Sequence, residues 1–368
     1  MACKLKLLSI DGGGIRGIIP ALMLAEIEKR TGKRVFELFD LIAGSSTGGL
    51  LALGLTVPNR DRPTEALYTA QDLVNLYREQ GRRIFTEDEH WLETVTEQAY
   101  NQMRLSVQTP PVALQLPEVD LNSFRGPKFI SSAKEEVFTR FLGDTPIAKA
   151  LKEVFITSYD TELRTPIFFT SNEKAENIGI NFRKLCKDIS MTQVAMATSA
   201  APTYFAPYQV TTSTTDSGYY SLVDGGVFAN NPTTLAMIEA LISHKRNTNE
   251  AIGLNDILIA SFGTGALRRI YRYQDIQRWG RLHWIGSMLN ITLDGQSESV
   301  TCQLEQLLPE MNSVKQYYRF QGALDEANDD IDDTSPTNIA LLEKLAQQII
   351  QQQESDLNQL CEQLISTC

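Results

Sequence analysis

Ser46 stands in Gly44-Ser45-Ser46-Thr47-Gly48, a G-x-S-x-G turn entered from the largely apolar run Phe39 to Ala43 and left through Gly49-Leu50-Leu51-Ala52-Leu53. Strand, tight turn and helix, in that order, are the setting in which a serine is lifted on a strained elbow and serves as a nucleophile. Gly44 and Gly48 clear the space beside Ser46, so the backbone can take the angle that exposes the hydroxyl. A second glycine turn, Asp11-Gly12-Gly13-Gly14-Ile15-Arg16-Gly17, follows the apolar run Leu5 to Ile10 and precedes a helix expected from Pro20 to a stop at Gly32. Consecutive glycines beside a helix start offer backbone N–H groups that bind an oxyanion or a phosphate, and spacing alone does not choose between them. A dinucleotide loop is the rival interpretation, and Arg16 favours a substrate phosphate.

A serine nucleophile needs a base, usually histidine, and the chain has three: His90, His244 and His283. His90 sits in an acidic, loop-like stretch, His244 ends an expected helix, and His283 lies between Trp279 and Trp284 in an amphipathic segment. Each fits a surface or packing role better than a catalytic one. Asp224 is the stronger candidate, because it ends the run Tyr219 to Val223 and is followed by Gly225-Gly226, which leave room beside it. A carboxylate with an ordinary pKa of about 3.9 is a weak base, so Asp224 must be partly desolvated and close to the Ser46 hydroxyl.

The elements that must hold these groups alternate along the chain. Strands are expected near 5–10, 39–43, 153–158, 166–170, 219–223 and 256–262, with helices between them that include 134–142 and 232–243. The latter helix has Asn231 as its cap and Pro232 at its first position. Long intervals holding helices favour parallel pairing, hence an α/β fold.

Taken together, the turn from Asp11 to Gly17, the turn from Gly44 to Gly48 and Asp224-Gly225-Gly226 resemble the patatin-like phospholipases, a family of Ser-Asp dyad lipid acyl hydrolases. The likeness continues through Thr56-Val57-Pro58-Asn59, Gly126-Pro127-Lys128, Ala197 to Phe205 and Ser261 to Gly265; it is close from about residue 5 to 265 and looser from 270 to 345. It implies a three-layer α/β/α sandwich with a mainly parallel central sheet. It also implies a catalytic domain over residues 1–270, with 85–128 as an insertion or lid, and a C-terminal helical extension over 271–368. Carried over, it makes Ser46 the nucleophile and Asp224 its base. Gly12, Gly13 and Gly14 would form the oxyanion hole, with Gly12 shaping the turn, and Arg16 would lie near a phosphate or other polar head group. The implied chemistry is acyl transfer through an acyl-Ser46 intermediate, with no cofactor and no metal, on membrane lipids or other lipid esters. A regulated effector phospholipase awaiting an activator, and a storage or lipid-binding protein without activity, are the alternatives it leaves open. Oligomeric state, head group and acyl length are not readable.

Composition fits a globular enzyme with a sizeable core: 368 residues, 42% hydrophobic. Lys and Arg number 34 against 45 Asp and Glu, and the net charge of -11 argues against nucleic acid as a partner. No signal-like leader is seen, so a cytoplasmic location is expected, with peripheral contact at membranes. Five cysteines (Cys3, Cys186, Cys302, Cys361, Cys368) without ligand spacing are expected as free thiols. The prolines at 110, 111, 117 and 127 mark the insertion, which reads equally as a lid or as a surface excursion. Beyond Gly265, Arg268, Arg269, Arg272, Arg278 and Arg281 interleave with Tyr271, Tyr273, Trp279 and Trp284, suiting either a lipid interface or a packed helix. The acidic run Asp325 to Asp333 lacks the glycine and periodicity of an EF-hand and is expected to be a solvated loop before a last helix starting at Ser335-Pro336.

Overall fold

Leu5 and Leu7 point to one face of a strand and Leu8 and Ile10 to the other, and all four are buried. The same double burial recurs at Ile257 and Ile259 against Leu258, Ala260 and Phe262. Strands apolar on both faces belong inside a parallel sheet covered by helices on each side. The computed structural model, which describes residues 3–88, 126–266, 270–308 and 315–366, has this three-layer arrangement. Most of the expected insertion, with His90, lies outside the described residues, as do Arg268, Arg269 and Cys368.

The strands are β1 Leu5–Ile10, β2 Leu41–Ser45, β3 Glu153–Asp160, β4 Thr165–Thr170, β5 Asn177–Ile178, β6 Arg183–Leu185, β7 Tyr208–Thr211, β8 Tyr219–Asp224, β9 Ile257–Phe262 and β10 Tyr317–Phe320. The longer helices are α1 Ile18–Thr31, α2 Thr47–Thr56, α3 Ala70–Ile84, α4 Ser131–Leu142, α5 Met191–Thr198, α6 Thr233–Thr248, α7 Arg281–Leu307, α8 Pro336–Gln352 and α9 Glu354–Ile365. Among the described residues the sheet runs β10-β9-β1-β2-β3-β4-β6-β5, with β8 pairing β3 and β7. The five strands from β10 to β3 are mutually parallel. One face packs on α1, α2, α3, α4, α5 and the C-terminal helices, the other on α6 and α7.

Three local outcomes differ from expectation. β3 and β4 form an antiparallel pair, because only the short turn from Thr161 to Arg164 joins them and so short a link cannot make a crossover. α6 begins one residue late, at Thr233, with Asn231 Oδ1 accepting the Thr233 N–H at 3.1 Å. The C-terminal stretch is not purely helical, since β10 joins β9 within the central sheet.

Candidate active site

The turn after β2 is compressed enough to dictate its own composition. A methyl group on Gly48 would lie 2.1 Å from the Ile10 carbonyl oxygen, and one on Gly44 would lie 2.2 Å from the Gly48 backbone. Between them Ser46 takes φ 53° and ψ −120°, a left-handed conformation that side chains rarely adopt and that surrounding structure must enforce. The enforcing contact comes from the end of α5. The Ser46 N–H donates to Thr198 Oγ1 at 2.9 Å, and that hydroxyl donates to the Thr157 carbonyl at 2.7 Å.

The same segment carries Asp224. Its N–H donates to the Ala200 carbonyl at 3.0 Å, and the Gly225 N–H donates to the Thr198 carbonyl at 3.3 Å. The carboxylate is buried, accepts the Gly226 N–H on Oδ1 at 2.7 Å, and lines the same cavity as Ser46. Burial pushes its pKa up to about 6 against the opposing pull of Ser46, the Gly226 N–H and the Lys134 ammonium. A carboxyl group so desolvated is the kind able to exchange a proton with a serine near neutral pH.

The glycine turn after β1 faces this pair. The N–H groups of Gly13 and Gly14 make no hydrogen bond among the described residues, whereas the Gly12 N–H is already taken by the Asn230 carbonyl at 3.0 Å. Gly12 therefore shapes the turn and donates nothing to a ligand. Thr264 Oγ1 donates to the Gly12 carbonyl at 2.7 Å, fixing the loop on the end of β9. Gly12, Gly14 and Gly17 also fall at the G-x-G-x-x-G spacing of a dinucleotide loop. Ile331 closes that option: its carbonyl accepts the Ile15 N–H at 2.8 Å and sits where any side chain on Gly14 (φ 59°) would go.

Arg16 is buried and donates from Nε to the Gly13 carbonyl at 3.3 Å, while its Nη1 has no partner. It is absent from the lining of both cavities that hold Ser46, so its visible task is to brace the glycine turn. Burial lowers its pKa, against Asp294, Asp329 and Asp330, which favour the charge.

Those two cavities are narrow. One, of about 40 Å³, is lined by Ser46, Leu50, Phe85, Lys134, Phe138, Tyr204 and Phe205 among others; the second, about 20 Å³, joins Ser46, Gly13, Gly14, Asp224, Leu293 and Ile331. A much larger cavity of about 940 Å³ lies against α6 and α7 and includes none of these site residues; chemistry, not size, identifies the site. Among the described residues no histidine lines either cavity at Ser46. His244 sits near the end of α6 with its Nε2 buried and unpartnered.

Sequence inspection missed the groups that complete this arrangement from the C-terminal third. Arg319 on β10 grips Asp11 with two hydrogen bonds, 3.0 Å to Oδ1 and 2.6 Å to Oδ2, and Ser297 of α7 donates to Asp11 Oδ2 at 3.0 Å. Gln296 accepts the Asn230 N–H at 3.0 Å and donates to the Val227 carbonyl at 3.1 Å, clamping the turn after Asp224. Ile331 belongs to the acidic run expected to be a solvated loop, yet it is buried over the glycine turn. A charged residue in the aromatic strand Tyr317-Tyr318-Arg319-Phe320 was the one available signal. Among the described residues no group of three or more His, Cys, Asp or Glu could hold a metal ion, and no helix is long and apolar enough to cross a membrane.

A family model for patatin-like phospholipase matches residues 8–237. Patatin-T5 from Solanum tuberosum is 29% identical over 370 residues, covering 95% of this chain and 85% of that protein. A protein named "Probable inactive patatin-3-Kuras 1", also from Solanum tuberosum, is 29% identical over 369 residues, covering 95% of this chain and 87% of its own. Overall identity thus does not separate relatives named as inactive from the rest. The solved structure of VipD from Legionella pneumophila aligns with a TM-score of 0.35 and 12% identity, covering 95% of this chain and 67% of that one.

Proposed function

The chain belongs to the patatin-like phospholipase family, and from that premise we propose that it hydrolyses acyl esters of phospholipids or galactolipids with Ser46 as nucleophile and Asp224 as base. The observation that carries the proposal is a buried Asp224 carboxylate lining the same narrow cavity as Ser46, whose backbone is held at φ 53°. Asp224 takes the hydroxyl proton as Ser46 attacks the ester carbonyl. The Gly13 and Gly14 N–H groups receive the negative charge that develops on the carbonyl oxygen. Asp224 then gives its proton to the departing alkoxide, leaving acyl-Ser46, and afterwards takes a proton from the attacking water and returns it to Ser46 Oγ as the fatty acid leaves. One carboxylate so performs both proton transfers that histidine performs in a triad.

Covalent labelling of Ser46 by a fluorophosphonate tests this as a function of pH. Below its pKa of about 6 Asp224 is protonated and cannot accept the serine proton. The labelling rate is therefore expected to fall about tenfold per pH unit below a midpoint near 6. A midpoint near 4, or a rate independent of pH from 5 to 8, contradicts the role of Asp224.

A lipid substrate resides in a surface, and α7 offers one face suited to meet it. Trp284, Met288 and Ile291 are exposed at spacings of four and three along that helix, and Ile270 and Tyr273 are exposed just before it. The same helix delivers Leu293 to the cavity beside Asp224. Trp284→Glu combined with Met288→Glu is expected to abolish co-flotation with lipid vesicles, while hydrolysis of a monomeric short-chain ester changes less than about twofold. Unchanged flotation removes this face from the account.

A further inference from the structure

Lys134, the fourth residue of α4, is 1% exposed and has no carboxylate within ion-pair distance among the described residues. An isolated buried ammonium is costly, so a retained one calls for an explanation. Its Nζ donates to the Ser199 carbonyl at 3.0 Å and the Ser199 hydroxyl at 3.2 Å, and lies 3.7 Å from the centre of the Phe205 ring. Ser199 is the middle residue of the segment that holds the reacting pair: Thr198 receives the Ser46 and Gly225 N–H groups, and Ala200 receives that of Asp224. Three consecutive residues thus seat the serine, the lysine and the aspartate. Lys134 also lines the cavity that contains Ser46.

We infer that Lys134 is a positioning residue of the dyad, the buried cation that favours ionised Asp224 as the base for Ser46 across the acid limb of the rate profile. The inference rests on the proposed Ser46–Asp224 chemistry. Charges that act on Lys134 are Asp224, ahead of Glu135 on its own helix, and burial opposes them, bringing its pKa down to about 7. Asp224 in turn feels the Ser46 hydroxyl, the Gly226 N–H and Lys134, and no second cation among the described residues. Tyr77 and Tyr204 also line the cavity, but burial pushes both phenols up, so they stay neutral across the working range. With the cation removed, Asp224 holds its proton to higher pH, and the acid limb of the rate profile moves upward.

The experiment is the pH dependence of kcat/KM on a soluble short-chain ester for the parent protein, Lys134→Gln and Lys134→Arg. Gln retains a donor for the Ser199 carbonyl without charge, and Arg retains the charge at every pH. The Gln variant is expected to shift the acid limb upward by about half a pH unit or more and to lower kcat/KM several-fold at pH 6, while Arg keeps the limb at or below its original position. If Lys134→Gln does not fold, Lys134→Met serves for the uncharged form and is judged by the same limb. An unshifted limb in a folded uncharged variant, with activity still dependent on Ser46, overturns the role of Lys134 alone. Activity independent of Ser46 overturns the underlying dyad instead.

Discussion

Ser46→Ala and Asp224→Asn are each expected to lower ester hydrolysis by about a thousandfold or more, with the thermal midpoint within a few degrees of the parent. Removing Ser46 Oγ deletes the proposed nucleophile, while the backbone contact to Thr198 Oγ1 that fixes the elbow persists. Asn at 224 has the same shape as Asp and can keep the Gly226 N–H bond on its carbonyl oxygen, but it cannot take a proton. Losses of this size in both variants, with unchanged circular dichroism, would identify two groups acting as one unit. Single replacements of His90, His244 and His283 by Ala are expected to leave most of the rate. A thousandfold loss at one histidine would restore a triad and remove Asp224 as sole base.

Arg319→Met is expected to cost about 3–5 kcal/mol of stability, measured by urea unfolding, because it strands the Asp11 carboxylate in the interior. Asp11 would keep only Ser297 of its three side-chain hydrogen bonds, and Arg319 also donates to Ser261 and Ser297, tying β10, β9 and α7 to the glycine turn. The double change Asp11→Leu with Arg319→Met is expected to regain much of that stability, since an apolar pair replaces a desolvated ionic one. Activity should not return with it, because the proposed oxyanion donors Gly13 and Gly14 follow Asp11 in a turn that loses its anchors to Arg319 and Ser297. A loss below about 1 kcal/mol for Arg319→Met would mean that the pair is peripheral to the fold.

Where a local rule dictates geometry, the chain could be interpreted directly. The apolar runs at Leu5, Leu41, Glu153 and Ile257 are strands because the sheet is buried on both faces, and the glycines that follow β1 line the cavities that hold Ser46. Gly44, Gly48 and Ser46 were recognisable because only glycine tolerates the 2 Å approaches around that turn. Lys134, Arg319 and Ile331 were not recognisable, since each reaches the site from a remote part of the chain through tertiary contact alone. Lys134 in particular sits in a helix whose sequence, Ser131 to Leu142, looks like any amphipathic surface helix with a charged face. The acidic run at 325–333 misled for the same reason: its charge predicts solvent, but Ile331 within it packs over Gly14.

Serine-dependent release of fatty acid from lipid is measured with vesicles containing both phospholipid and galactolipid. Purified protein is incubated with them, the products are identified by mass spectrometry, and Ser46→Ala is run alongside. Free fatty acid with the matching lysolipid is expected from the parent protein and none above background from the variant. Equal release from both proteins would contradict it outright, and no release from a protein whose Ser46 is also inert to a fluorophosphonate would do the same.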